Sequence, residues 1–292
     1  MKRITNFTHL VTVAGIALLF GISGCNKEIS QDTPATEEQE NLTIASQDDA
    51  IADQVFTEIH EQELGMMDEI GLPDIGLNNE VATSLDSAGR CFKVTIEPRQ
   101  PMVFPKTVVF DYGNGCKGRD GKVRKGKIIT VYTAPMIMPG ATATTRFEGF
   151  SVDSVKISGT HISKNNSTSS VRIFTRKVEN GKLIFPGGGV TVWNATHTNK
   201  QIAGLGTPGF PFDDEFEITG GAKGVFERAT KRIEWSRVIA EPLHKTFKCR
   251  WIDKGVVHIT RGDNKSILNY GDGTCDNKAV IIINGVRKEI TL

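Results

Sequence analysis

From Glu28 to Ile70 the chain contains no Lys and no Arg, against thirteen Asp or Glu. One sign of charge with little to bury excludes a self-standing core in the first part of that stretch. Cys-x-x-Cys is absent and no His stands at ligand spacing from a Cys pair, which argues against the usual zinc arrangements. Gly-x-Ser-x-Gly and His-Glu-x-x-His are missing too, so two common hydrolase motifs are excluded. His60, His161, His197, His244 and His258 are isolated in sequence and read as surface or satisfied strand residues. Trp193, Trp235 and Trp251 are the only tryptophans. Single aromatics on alternating runs belong to a core rather than to a sugar-stacking platform. After Cys91 no stretch carries convincing helical periodicity.

What is present begins with a leader. Lys2 and Arg3 precede the apolar run Val11 to Phe20, which is too short to span a bilayer as a helix. Ile22-Ser23-Gly24-Cys25 follows, so residues 1–24 read as a secretory signal whose end resembles the bacterial lipobox. Cys25 would then be the lipid-bearing first residue of the mature chain. Each buried acyl CH₂ contributes about 0.8 kcal/mol, so several chains on one cysteine hold a protein in a membrane. Asn26, not Asp, follows the cysteine, which favours the outer membrane, on its periplasmic face or at the cell surface.

Export puts the remaining cysteines in an oxidising compartment. Cys91 and Tyr112 are spaced as Cys249 and Tyr270 are. The first stretch closes with Tyr112-Gly113-Asn114-Gly115-Cys116, the second with Tyr270-Gly271-Asp272-Gly273-Thr274-Cys275. Four cysteines allow three pairings; the matched spacing argues for Cys91–Cys116 and Cys249–Cys275. A loop of that size contributes about 3.5 kcal/mol in the chain-entropy view. Residues 91–131 and 249–285 thus read as an internal duplication of a stapled strand pair.

Residues 25–45 read as a disordered acidic tether. Residues 46–71 read as one acidic amphipathic helix, with Ser46 as N-cap and Ile51, Val55, Phe56 and Ile59 as its apolar stripe. Gly71-Leu72-Pro73 ends it. Residues 85–292 break into short β-rich runs separated by turn signals, among them Lys127 to Thr133, Glu215 to Thr219 and Lys223 to Arg228. Asn284-Gly285 between Ala279–Ile283 and Val286–Thr291 is the clearest hairpin. The expected fold is all-β: a large antiparallel β-sandwich or a partly open barrel, preceded by one amphipathic helix.

Phe104-Pro105-Lys106-Thr107-Val108-Val109-Phe110-Asp111-Tyr112-Gly113-Asn114-Gly115-Cys116, with Gly118-Arg119-Asp120-Gly121 and Gly126-Lys127-Ile128-Ile129 after it, resembles the first hallmark of a family of all-β bacterial lipoproteins. Tyr270 to Lys278 resembles that family's C-terminal hallmark, and Trp193-Asn194 and Thr219-Gly220 match its pattern loosely. The resemblance covers most of the β region. It implies an exported, anchored, all-β protein and transfers no activity.

Gly113 to Gly118 matches G-x-G-x-x-G, but a basic glycine-rich loop follows instead of a helix, so the dinucleotide reading fails. Asp213-Asp214-Glu215 could bind Ca²⁺ or supply a glycosidase carboxylate; a solvated turn is the simpler reading. Charge is more informative. Residues 71–292 hold 32 Lys or Arg against 21 Asp or Glu, a basic domain behind an acidic arm. Lys117, Arg119, Lys122, Arg124, Lys125 and Lys127 concentrate in one loop. That loop is the candidate contact for an anionic glycan, for lipopolysaccharide phosphate or for the chain's own acidic arm. No catalytic set, cofactor or metal site is expected, and no nucleic-acid partner for an exported chain. The expected function is a lipid-anchored envelope protein that binds an anionic or glycan ligand. A lipid carrier of open-barrel type and a glycan hydrolase are the alternatives.

Overall fold

A computed structural model of the chain describes residues 36–65 and 91–292, apart from 119–120 and 208–210. The expected signal peptide, Cys25, residues 25–35 of the expected tether and residues 66–71 of the expected helix lie outside the described residues, as does Arg119.

Among the described residues one α-helix, α1 (Glu37–Glu63), precedes fourteen strands. These are β1 (Lys93–Glu97), β2 (Lys106–Asp111), β3 (Cys116–Lys117), β4 (Val123–Tyr132), β5 (Thr142–Val152), β6 (Val155–Asn165) and β7 (Ile173–Ile184). Then come β8 (Val190–Ala203), β9 (Glu215–Arg228), β10 (Lys231–Thr246), β11 (Lys254–Arg261), β12 (Asn264–Asp272), β13 (Lys278–Ile283) and β14 (Val286–Thr291). They form a single antiparallel sheet in chain order, with the two-residue β3 pairing off the path onto β4. The all-β expectation with one helix holds. Of the two forms left open, the chain makes one open sheet rather than two packed ones.

The sheet curls because its ladders are interrupted partway along. Register shifts fall between Lys125 and Lys127 in β4, Ser158 and Thr160 in β6, Val178 and Gly181 in β7, and Val238 and Leu243 in β10. Each irregularity adds local bend and twist, and a row of them across neighbouring strands rolls the sheet. The two runs expected at Glu215–Thr219 and Lys223–Arg228 are in fact the single strand β9. Gly220 and Gly221 do not break it, since they stay opposite His197 and Thr196 of β8. A side chain on Gly220, at φ +127°, would meet the Thr196 carbonyl oxygen at 2.2 Å. Glycine is therefore what lets the ladder run through the bend.

The rolled sheet closes on α1, which touches every strand from β6 to β13. Helix and sheet together form one compact unit, Ala35–Leu292. The helix begins nine residues before the expected Ser46. A capping box starts it: Thr36 Oγ1 accepts from the Gln39 N–H at 3.2 Å, and Gln39 Oε1 accepts from the Thr36 N–H at 2.8 Å. Residues 36–45, expected as tether, are therefore cap and helix, with Leu42 and Ala45 buried against the sheet. Ser46 caps nothing. Its hydroxyl is buried between the Leu42 carbonyl at 2.7 Å and Ser266 Oγ at 2.8 Å.

Phe56 is the apolar centre. Its ring stacks on Trp193 at 5.7 Å and on His161 at 6.1 Å, and meets Phe147 edge-on at 6.2 Å. Trp235 packs over Gly224, where an added Cβ would lie 2.1 Å from the indole. Trp193 and Trp235 are core, as their isolation in sequence suggests. Cys91–Cys116 and Cys249–Cys275 are the disulfides, with Cα atoms 5.2 Å and 5.6 Å apart. One staples the β1–β2 pair and the other the β11–β12 pair. Tyr112 follows β2 and Tyr270 lies near the end of β12, and both are buried. Asn284 and Gly285, at φ 50° and 82°, make the expected tight hairpin between β13 and β14.

Candidate functional site

Successive strand residues point to opposite faces, so β7 to β10 carry two separate sets of polar side chains. The inward set meets the acidic helix. Arg237 on β10 gives one N–H to Asp49 at 2.8 Å and another to Asp53 at 3.2 Å. Arg176 on β7 donates to Thr57 at 2.7 Å and stands 3.6 Å from Asp53. The Trp193 indole N–H donates to Asp49 at 2.8 Å. Farther along the helix, Glu58 faces Arg124 at 3.1 Å and Arg250 at 3.4 Å, and Glu61 faces Lys245 at 2.5 Å. Arg261 holds Glu38 and Thr191 holds Asp48. Burial pushes the Asp49 carboxyl up, against the pull of Arg237. Burial acts on Glu58 in the same sense, but Arg250, Arg124 and Lys122 outweigh it and lower its pKa.

The end of α1 carries a second cluster. Glu63 accepts from Thr145 Oγ1 at 2.6 Å, pairs with His161 Nδ1 at 2.9 Å and is held by the Ser163 hydroxyl, which itself contacts His60 Nδ1 at 2.7 Å. Burial alone would raise Glu63, yet His161 and His60 beside it bring its pKa to about 2. Burial takes His60 down to about 4, against the opposing pull of Glu63. Serine, histidine and glutamate in contact are the parts of an activated nucleophile. Here every member is buried. The cluster closes a helix end onto a sheet.

The histidines that look isolated in sequence are thus mostly gathered. His60 and His161 flank Glu63, His197 lies 3.9 Å from Asp53, and His244 sits between Asp253 at 2.7 Å and Glu215 at 3.3 Å. Partial burial acts to lower His244, but Asp253 and then Glu215 overcome it and raise its pKa. Glu63 and His161 are 98 positions apart, and no local pattern signals such a contact. Among the described residues no group of His, Cys, Asp and Glu is arranged to hold a metal ion.

The basic loop is not the open patch that its sequence suggests. Arg124 is 3% exposed and turned onto Glu58, so it is withdrawn as a surface contact. Lys122 points to the same carboxylate at 3.9 Å, and Lys127 leans on Asp111 at 3.6 Å. Lys117 and Lys125 remain exposed. The physical reason is the docked acidic helix, which draws the inward cations of the sheet to itself. Nor do the carboxylates at 213–215 converge: Asp213 takes the Thr207 hydroxyl at 2.7 Å, Asp214 takes the Gln201 amide at 2.6 Å, and Glu215 faces His244.

The outward set is different. A groove of about 650 Å³ lies on the solvent face of β7 to β10, over the irregularity between Val178 and Gly181. Lys177, Asn180, Asn194, Thr196, Lys223 and Ser236 line it, and all six are exposed. Lys177 shares its charge with Glu179 at 2.6 Å, and the Asn194 side-chain oxygen accepts from the Asn180 N–H at 2.8 Å. Lys223 has no ion pair among the described residues.

No family model, no curated protein and no solved structure matches the chain. The reading of this surface therefore rests on its own chemistry. An ammonium that no carboxylate holds, with amides and hydroxyls in reach across an open groove, can take hydroxyl-rich anions by charge and hydrogen bonding together. The inner face cannot do so while α1 fills it.

Proposed function

We propose that the chain is an exported envelope lipoprotein, anchored through Cys25, whose β domain binds an anionic glycan and does not turn it over. The observation that carries this reading is the outer groove, in which Lys223 and Lys177 stand among Asn180, Asn194, Thr196 and Ser236. A sugar offers hydroxyls to the amides and hydroxyls, and its phosphate, sulfate or carboxylate goes to the lysines.

Retention on immobilised lipopolysaccharide or on a sulfated glycan tests it. Lys177→Glu with Lys223→Glu should weaken retention at least tenfold, about 1.4 kcal/mol. Raised salt should weaken the wild type in the same direction, because exposed charges are screened. Lys117→Glu with Lys125→Glu should have a smaller effect. Retention that ignores both salt and the groove pair would sink the proposal.

A further inference from the structure

The two margins of the sheet are built differently. One margin is closed mostly by tight turns, at Asp153-Ser154, Ala229-Thr230, Gly262-Asp263 and Asn284-Gly285. The other carries longer loops, and these hold most of the large apolar side chains that face solvent. Met102 and Val103 sit between β1 and β2, Ile137 and Met138 between β4 and β5, and Ile202 and Leu205 where β8 ends. Met102, Ile137 and Leu205 are each more than half exposed.

These loops are neighbours in space. Lys106 of β2 pairs with Tyr132 of β4, which brings the first two together. The Gly140 N–H donates to the Asn165 carbonyl at 2.8 Å, and Arg172 donates to the Gln201 side chain at 3.1 Å, which carries the row on to β8. Thr133 to Ala141 contains no charged residue, and its tip reads Pro135-Met136-Ile137-Met138-Pro139. Exposed Arg99, Lys164, Lys200 and Lys248 flank the row; Glu97 and Glu217 are exposed acids there, and Asp272 is exposed at the end of β12 on the same margin.

We propose that this margin docks on an anionic lipid surface, with Ile137, Met138, Met102 and Leu205 dipping below the headgroups and the flanking cations meeting lipid phosphate. Two features favour lipid over a protein partner. The apolar groups are knobs on separate loops rather than one flat or concave face, and a fluid surface can close around separate knobs where a folded partner needs matching holes. Long cationic side chains beside apolar tips are also the arrangement that lies at a bilayer interface. The margin is at the Glu63 end of α1, whereas Glu38, near the helix start, is held by Arg261 beside the tight turns. The contact uses none of the groove residues, and its failure would leave the glycan reading untouched.

The compact unit, residues 35–292, lacks Cys25 and gives a clean test. It should co-sediment with vesicles of equal phosphatidylglycerol and phosphatidylcholine, and much less with phosphatidylcholine alone. Ile137→Ser with Met138→Ser and Leu205→Ser should reduce binding at least tenfold without lowering the melting temperature. Val286→Ser, an exposed apolar residue at the opposite margin, should leave binding unchanged. Absence of vesicle binding, or equal binding by the triple variant, would overturn the proposal. So would a dimer in sedimentation that the triple variant dissolves while vesicle binding stays absent, since the margin would then join two copies of the chain.

Discussion

Lys223 and Arg237 sit one register position apart on adjacent strands, and they have opposite fates. Arg237 lies opposite Ala222 and points inward to Asp49 and Asp53, while Lys223 lies opposite Ser236 and points to water. Period-2 alternation decides this, since a shift of one residue moves a side chain to the other face. The difference teaches how to read the charge of the whole chain. The excess of Lys and Arg after residue 71 is not all available to ligands, because the inward cations already neutralise α1. What an outside partner meets is the outward set.

The strongest way to break the comparison is to remove the inward cation. Arg237→Met leaves Asp49 and Asp53 buried, with Arg176 the one cation among the described residues still close to Asp53. Losing one partner of a buried pair costs about 3–5 kcal/mol, since the remaining charge has neither water nor its counter-ion. Urea unfolding of residues 35–292 at pH 7 should show that loss. A change below about 1 kcal/mol would mean that the aspartates find other partners and that the helix is not held by charge.

Much of this was legible in the sequence, and the illegible part has a common cause. The hairpin at Asn284-Gly285 and the two cysteine pairs were readable because turn chemistry and spacing are local. The start of α1 was readable too, in the Thr36-x-x-Gln39 box, but an acidic run looks like a tether unless a cationic groove exists to receive it. That groove is assembled from Arg124, Arg176, Arg237, Lys245 and Arg261, spread over much of the β region. The same holds for Glu63 with His161 and Ser163. Buried polar side chains on a helix violate the apolar-stripe rule, and only the fold supplies the partners that make them tolerable. The outer groove was invisible for a simpler reason: its lining comes from four strands, and none of those residues forms a motif.

A pH titration sharpens the comparison, because the inward groups titrate inside a packed core. Burial holds the folded pKa of His60 near 4, against an ordinary value of 6.5. The stability linked to a neutral His60 is full above pH 6.5 and is lost as pH falls from there through about 4. The loss reaches about 3 kcal/mol, at 1.36 kcal/mol for each unit of separation. Asp48 works in the opposite sense. Burial raises its pKa from 3.8 to about 6, against the Thr191 hydrogen bond. Its contribution is full below pH 3.8 and is lost as pH rises through about 6, so the two offset each other across the window. His60→Asn should therefore shift the balance. Relative to wild type, the variant should gain about 3 kcal/mol between pH 6.5 and pH 4. Parallel pH curves for the two proteins would show that His60 does not stay neutral in the fold.

The smallest expected effect is on the outward partner of the comparison. Lys223→Met removes a cation that no carboxylate holds, from a side chain already in water. Surface changes of this kind stay within about 0.5 kcal/mol, so urea unfolding should not separate the variant from wild type. The value of so small a number lies in its pairing with Arg237→Met: same strand pair, same charge removed, same replacement. If Lys223→Met instead cost more than about 1 kcal/mol, the groove on the outer face would be part of what holds the sheet together. Its lysine would then be kept for stability, and the case for a ligand there would lose its main support.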